Sequence, residues 1–223
     1  MDTWSCSECA GLDRHLQVER ALPASLLMEN AGAALATSAL RLAAVSAADR
    51  VLFVCGPGNN GGDGLVAARQ LLGELPVAVW APLGLPRRTP GDGARAAAAA
   101  IGVPLREDPL PPPPAGGSPL LVDALFGTGL CRPLEGTARE AVAWINACGA
   151  PVLAADAPSG LDGDSGEVLG AAVRARWTLS FVAPKDGFLR AQGPVHCGEV
   201  LVAGIGVSAA YTRAWRDAQR SAG

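Results

Sequence analysis

Five apolar residues, Val51-Leu52-Phe53-Val54-Cys55, run without interruption into Gly56-Pro57-Gly58-Asn59-Asn60-Gly61-Gly62-Asp63-Gly64. A run of that kind closed by Gly-Pro-Gly reads as a strand buried on both faces that enters a tight turn. Helical spacing of apolar residues returns over 65–72. Strand, glycine loop and helix in that order open a parallel βαβ unit, and the alternation continues along the chain. Strands are predicted over 77–81, 120–123, 152–155, 177–182 and 200–203, and helices over 26–42, 90–101, 137–147 and 208–220. The predicted fold is α/β: a three-layer αβα sandwich around a Rossmann-like, doubly wound, mostly parallel sheet, in a single domain. Residues 1–25 form an N-terminal helical arm. Residues 109–117 include four consecutive prolines, which neither a helix nor a central strand accepts, and read as a surface connector.

The 223 residues are 49% hydrophobic and carry a formal net charge of -3, from 18 basic and 21 acidic side chains. There is no basic excess for nucleic acid or an anionic membrane, so the expected partner is a small molecule. No run is long and apolar enough for a bilayer, and Met1-Asp2-Thr3-Trp4 does not open a targeting segment; the expected location is the cytoplasm. In a reducing compartment the six cysteines read as small apolar side chains. Cys6-Ser7-Glu8-Cys9 has C-x-x-C spacing, but without a second such pair it reads as a helix start rather than a metal or redox site.

In an open parallel sheet, ligands bind beyond the carboxyl ends of the strands, and three strands here end in unusual loops. The first, 56–64, is expected to use glycines with positive φ to bring backbone N–H groups and a helix N-terminus toward an anion. It fits G-x-G-x-x-G, yet the second strand ends Val79-Trp80-Ala81-Pro82, without the acidic residue that a dinucleotide dehydrogenase places on the ribose. The G-K-[ST] ending of a P-loop is missing as well. Asn59, Asn60 and Asp63 bring more chemistry than a turn requires, with Asp63 the one expected to act as a helix cap. The second loop begins at Asp123, a carboxylate closing an apolar strand, which needs hydrogen bonds, a pair or a cation. The third begins at Asp156. Ser159 lacks the setting of a hydrolase nucleophile, and Asp162 and Asp164 read as solvated turn residues rather than calcium ligands. Lys185, the single lysine, is read either as a contact to the site or as an ordinary exposed side chain.

Taken together, Met28-Glu29-Asn30-Ala31-Gly32, the segment 55–64, Val122-Asp123-Ala124-Leu125-Phe126-Gly127-Thr128-Gly129-Leu130, the segment 156–162 and Pro184-Lys185-Asp186-Gly187 resemble the YjeF N-terminal domain family, the NAD(P)H-hydrate epimerases. The resemblance covers nearly the whole chain and implies an enzyme that interconverts the R and S forms of hydrated NADH and NADPH. By position it assigns Asn59, Asn60, Gly61, Gly62 and Asp63, then Gly127, Thr128, Gly129, Leu130, Cys131, Arg132 and Pro133, and also Asp156, to the hydrate. It assigns Asn60, Asp123 and Ser159 to a potassium ion, which hard oxygen donors suit. Asp156 is the expected general acid/base at C6 of the nicotinamide hydrate. Two departures stand out: Ala157 occupies a position usually β-branched, and a counterpart of the dehydratase domain fused to many bacterial relatives is not expected in this chain. A separate dehydratase is therefore the expected functional partner, with a homodimer left open. The competing reading is a scaffold of the same fold that binds nucleotide without turnover.

Overall fold

Seven strands form one sheet in the order β3-β2-β1-β4-β5-β6-β7, every neighbouring pair parallel. The computed structural model describes residues 2–109, 111 and 117–222. Its elements are α1 (Cys6–Glu19), α2 (Ala24–Val45), β1 (Arg50–Cys55), α3 (Asn59–Leu71), β2 (Val77–Trp80), α4 (Gly91–Ala100), β3 (Leu105–Arg106), β4 (Pro119–Ala124), α5 (Gly136–Ala147), β5 (Val152–Ala155), β6 (Trp177–Phe181), a 3-10 turn (Asp186–Leu189), α6 (Gly193–His196), β7 (Glu199–Ala203) and α7 (Ala209–Ala222).

The inner strands are mostly apolar because each is covered on both faces. Val51, Phe53 and Cys55 of β1, with Leu120, Val122 and Ala124 of β4, pack under α2, α3 and α4, while Val54 and Leu121 face α5. On that second face Trp80 of β2 meets Trp144 of α5 edge-on at 5.0 Å. Successive strand side chains alternate between faces, so one apolar run serves two cores. Asp123 pairs in register with Val54, and the following residues carry the chain to the rim.

The predicted αβα architecture is the observed one, and the sheet is parallel throughout. One boundary moves substantially. The helix expected at 65 begins at Asn59, so most of the glycine loop is the first turns of α3. The glycines also act differently from the expectation, since none of Gly56, Gly58, Gly61, Gly62 and Gly64 has positive φ. They permit close approach instead: a Cβ on Gly56 would stand 1.8 Å from the Leu125 carbonyl oxygen, and one on Gly61 1.8 Å from that of Gly56. Of the proline-rich connector, Pro109, Pro111 and Gly117 are described and belong to no element; the rest lies outside the described residues.

Candidate active site

The strand order reverses between β1 and β4, and at that switch point a cavity of about 550 Å³ opens beyond the strand ends. Pro57, Gly58, Asn59, Asn60 and Asp63 line it from the β1 end, and Leu125, Phe126, Gly127, Thr128, Gly129, Leu130, Cys131 and Arg132 from the β4 end. Asp156 enters after β5, Phe181 at the end of β6, and Val182 and Lys185 after it. Of the residues anticipated from sequence, Gly61, Gly62 and Pro133 are not part of this lining. Asp123 and Ser159 are fully buried and also lie outside it.

Asp156 is held with unusual care. Its backbone takes φ 63°, in the left-handed region, and Val182 at the end of the next strand takes φ 69°, a conformation a β-branched residue rarely adopts. Strain of this kind persists where the surroundings enforce it. Both residues flank Lys185, whose ammonium donates to Asp156 Oδ1 at 2.7 Å, to Ser180 Oγ at 3.0 Å and to the carbonyls of Phe181 and Ala183 at 2.9 and 3.2 Å. Burial alone would lower the lysine's pKa, but the Asp156 carboxylate outweighs it and the net shift is upward. Lys185 is therefore a buried, saturated cation at 1% exposure, which corrects the alternative of an ordinary surface lysine. Thr128 Oγ1 donates to the other oxygen, Oδ2, at 3.3 Å.

Beneath the lining, Ser159 donates through Oγ to Asp123 Oδ1 at 2.6 Å and through its backbone N to Oδ2 at 2.8 Å, and the Leu125 amide donates to Oδ1 at 3.3 Å. Burial raises the Asp123 pKa to about 6 against these three donors. Ser159 Oγ in turn accepts from the Phe126 amide at 2.9 Å. The neighbouring Gly127 stands where a Cβ would meet Asp156 Oδ2 at 3.2 Å and Asn60 Cγ at 3.5 Å, so this glycine keeps three loops in contact. The amide of Asn60 is the exception to all this pairing: it is buried, and neither Oδ1 nor Nδ2 has a partner among the described residues. An orphaned buried amide of this kind costs about 1–3 kcal/mol unless something satisfies it.

Asp63 is not a cap. The N-cap position of α3 is Gly58, with no side-chain hydrogen bond, and Asp63 sits a turn inside the helix, buried at 8% exposure. Its pKa lies well above the ordinary range because burial, then Asp156 and Asp13, disfavour its charge. Asp13 was missed from the sequence altogether. Cys6, Cys9, Asp13 and Gln17, about one turn apart on α1, form a wall of the cavity. That spacing was legible, but a mixed Cys/Asp/Gln stripe beside the buried Leu12 and Leu16 carries no family of chemistry on its face. Burial pushes the Cys9 thiol up to about 11 and that of Cys6 higher still, so both remain neutral thiols. Among the described residues no group of three or more His, Cys, Asp or Glu could hold a metal, and Asp162 is occupied by the Asp164 and Ser165 amides as a turn residue would be.

The family model described as YjeF-related protein N-terminus matches residues 24–187. The chain belongs to this family. The YjeF-related N-terminus reaches from α2 into the 3-10 turn and so takes in all three strand-end loops, while α1, α6, β7 and α7 lie outside the match. A Bordetella pertussis protein named NAD(P)H-hydrate epimerase is 42% identical over 83% of this chain and 81% of its own length, and a Limosilactobacillus fermentum protein of the same name is 37% identical over 82% and 86%. The Thermofilum pendens protein named bifunctional NAD(P)H-hydrate repair enzyme is 43% identical over 88% of this chain, which spans only 38% of that relative. Against the bifunctional relatives, then, the chain corresponds to about two fifths of the length. The crystal structure of the yeast protein ynu0 superposes with a TM-score of 0.75 at 24% identity, over 92% of this chain and 88% of that one, and shares the fold. Among the described residues no helix is long and apolar enough to cross a membrane.

Proposed function

We propose that this chain is an NAD(P)H-hydrate epimerase, interconverting the R and S forms of hydrated NADH and NADPH. The observation that carries the reading is the Asp156–Lys185 pair: a carboxylate fixed by a saturated lysine, in a strained backbone, at the mouth of a nucleotide-sized cavity. A polar group with one restricted orientation suits proton transfer to a bound ring better than a flexible one. The N-terminus of α3, with Gly58 and Asn59, and the guanidinium of Arg132 supply the attraction for the nucleotide phosphates. Asn59, Asn60 and Asp63 with the segment 127–133 hold the hydrate, and Asp156 acts as general acid/base at C6.

Potassium fits the residues at and just beneath this lining. Asn60 offers an amide oxygen with no other partner, Asp123 has lone pairs beyond its three donors, and Ser159 joins them through Phe126 and Gly127. Asn60, Asp123 and Ser159 would hold the ion, whose charge would offset that of the carboxylates and tie the three loops together. Epimerisation acquires a use where a stereospecific dehydratase consumes only one form, so such an enzyme is the functional partner in this reading.

The test is an assay of the purified protein on both hydrates, coupled to a stereospecific dehydratase. Asp156→Asn is expected to fold as the wild type does and to lose at least about a thousandfold in turnover, within the range for removing a proton-transferring group. Near wild-type turnover in this variant would refute the assignment, and nucleotide binding without any wild-type turnover would favour the scaffold. A potassium titration should activate the wild type and leave Asn60→Ala unresponsive; a flat wild-type titration would remove the ion from the account.

A further inference from the structure

The geometry points to Asp13 as a second catalytic residue of the cavity, exchanging a proton with the hydrate from the α1 wall while Asp156 does so from the sheet rim. The inference rests on the epimerase reading and names a group outside the segment matched by the family model.

Three carboxylates, Asp13, Asp63 and Asp156, line the cavity together with one lysine. The ammonium of Lys185 has three protons and four acceptors, Asp156 and three protein oxygens, so it has none left for another carboxylate. Asp13 is half-buried, and no hydrogen bond or ion pair from the described residues reaches it. A carboxyl group that is partly withdrawn from water, lacks a donor and borders a cavity is free to serve whatever occupies that cavity. Burial and the Asp156 charge raise its pKa to about 6 despite Lys185, which places its two forms within reach of neutral pH. The other groups facing it are Asp63, which feels its charge, and the neutral thiol of Cys9, one turn away on α1.

The chemistry of the hydrate calls for two such groups. Its C6 carries a hydroxyl and is bonded to the ring nitrogen, so the configuration inverts if water leaves from one face and returns to the other. Asp13 gives its proton to the hydroxyl; the C6–O bond breaks with its electron pair leaving on water, and the nitrogen lone pair forms a C6=N1 bond. Water adds to the opposite face of C6, the π pair returns to N1, and the proton shed by the incoming water passes to Asp156. One proton has moved from Asp13 to Asp156, and solvent restores the starting form. Asp156, tethered by Lys185, Thr128 and the Phe181 amide, is restricted to one side of a bound ring. Inversion at a carbon between leaving and entering water is the circumstance in which paired carboxyl groups on two sides are used.

The experiment compares wild type, Asp13→Asn and Asp13→Glu on both hydrates and follows the Asp13 carboxyl carbon by NMR in the unliganded wild type. The expected results are a kcat for Asp13→Asn lower by about 10²–10⁴-fold with KM little changed, partial recovery in Asp13→Glu, and a carboxyl titration near pH 6. In the direction that uses Asp13 as acid, the wild-type rate should fall as pH rises through that value, and the dependence should vanish in Asp13→Asn. A wild type that epimerises neither hydrate overturns the functional reading and this assignment with it. An active wild type beside an equally fast Asp13→Asn, or a variant altered in KM alone, overturns this assignment and leaves the reading standing. A titration near the ordinary aspartate value of about 3.9 also overturns it.

Discussion

Glu8 and Asp13 lie five residues apart on one helix, and the fold treats them in opposite ways. Glu8 points to the C-terminal helix, where Arg216 and Arg220 donate to it, and although burial works against it these donors hold its pKa down to about 2. Asp13 points to the cavity, where none of the described residues donates to it, and its pKa is raised to about 6. Around Glu8 every charge is answered: Arg216, itself at 4% exposure, also reaches Asp2 at 2.6 Å and the Thr3 carbonyl, and stacks 4.9 Å over Trp4, which in turn stacks on Trp215. Around Asp13 the charges outnumber their partners. The clamp between α1 and α7 thus secures a helix whose other face is left unsatisfied, and a folded chain accepts unsatisfied groups chiefly where they do work. The clamp also holds the N-terminal arm beside the buried lysine, since Trp4 exchanges backbone hydrogen bonds with Pro184 and Asp186 on either side of Lys185.

Arg216→Leu is the strongest way to break this comparison. It leaves Glu8 and Asp2 facing an apolar side chain and is expected to cost about 1–2 kcal/mol, because the pairs are partly solvated, which lowers Tm by roughly 4 °C in a chain of this size. A carboxyl with a depressed folded pKa contributes stability above its unfolded value, and that contribution disappears as pH falls toward the folded one. The difference between variant and wild type in thermal melts should therefore be full at pH 7 and shrink between about 4.5 and about 2. If the clamp positions the cavity wall, the variant also turns over more slowly while Asp156 is intact. An unchanged Tm at pH 7 would show that α1 is held by its Leu12 and Leu16 contacts alone.

How much of this was readable beforehand depends on whether a property is local. Apolar runs announced β1, β2, β4, β5 and β6 because a strand buried on both faces has few other compositions, and the edge strand β7 showed through its own Val-Leu-Val run, whereas β3, two residues long, leaves no such trace. The early start of α3 was hidden because glycine is a poor helix former; here Gly61 and Gly62 are helical because only they fit against the Gly56 backbone and Met28. The three loops and their polar residues were legible as chemistry. What was not legible was pairing across the fold. Lys185 meets a carboxylate 29 positions earlier in the chain, and nothing in Pro184-Lys185-Asp186 records that Asp156 stands beside it. The stripe of α1 had a legible spacing but no legible role for the same reason: a helix side chain has a meaning only once the surface opposite it is known.

Asp63 sharpens the comparison from the other side and by a smaller margin. It is the most deeply buried carboxyl of the cavity lining, with burial, Asp156 and Asp13 all opposing its charge and no hydrogen bond from the described residues relieving it. A group whose folded pKa is raised favours the folded state while it is protonated, below its unfolded pKa, and that contribution is lost as pH rises through the folded value. Above that range the ionised carboxyl weakens the fold. Asp63→Asn keeps the shape, removes the charge and should raise Tm at pH 8 by about 2–4 °C, the shift that accompanies roughly 1 kcal/mol in a chain this long, with no gain at pH 4. Glu8→Gln should do the reverse, lowering Tm at pH 8 and leaving it unchanged near pH 2, so that two carboxyls in one fold report opposite signs in one pair of melting curves. A loss of stability in Asp63→Asn at pH 8 would mean that the charge of Asp63 is already compensated in solution, and the contrast between the clamp and the cavity would no longer hold at this residue.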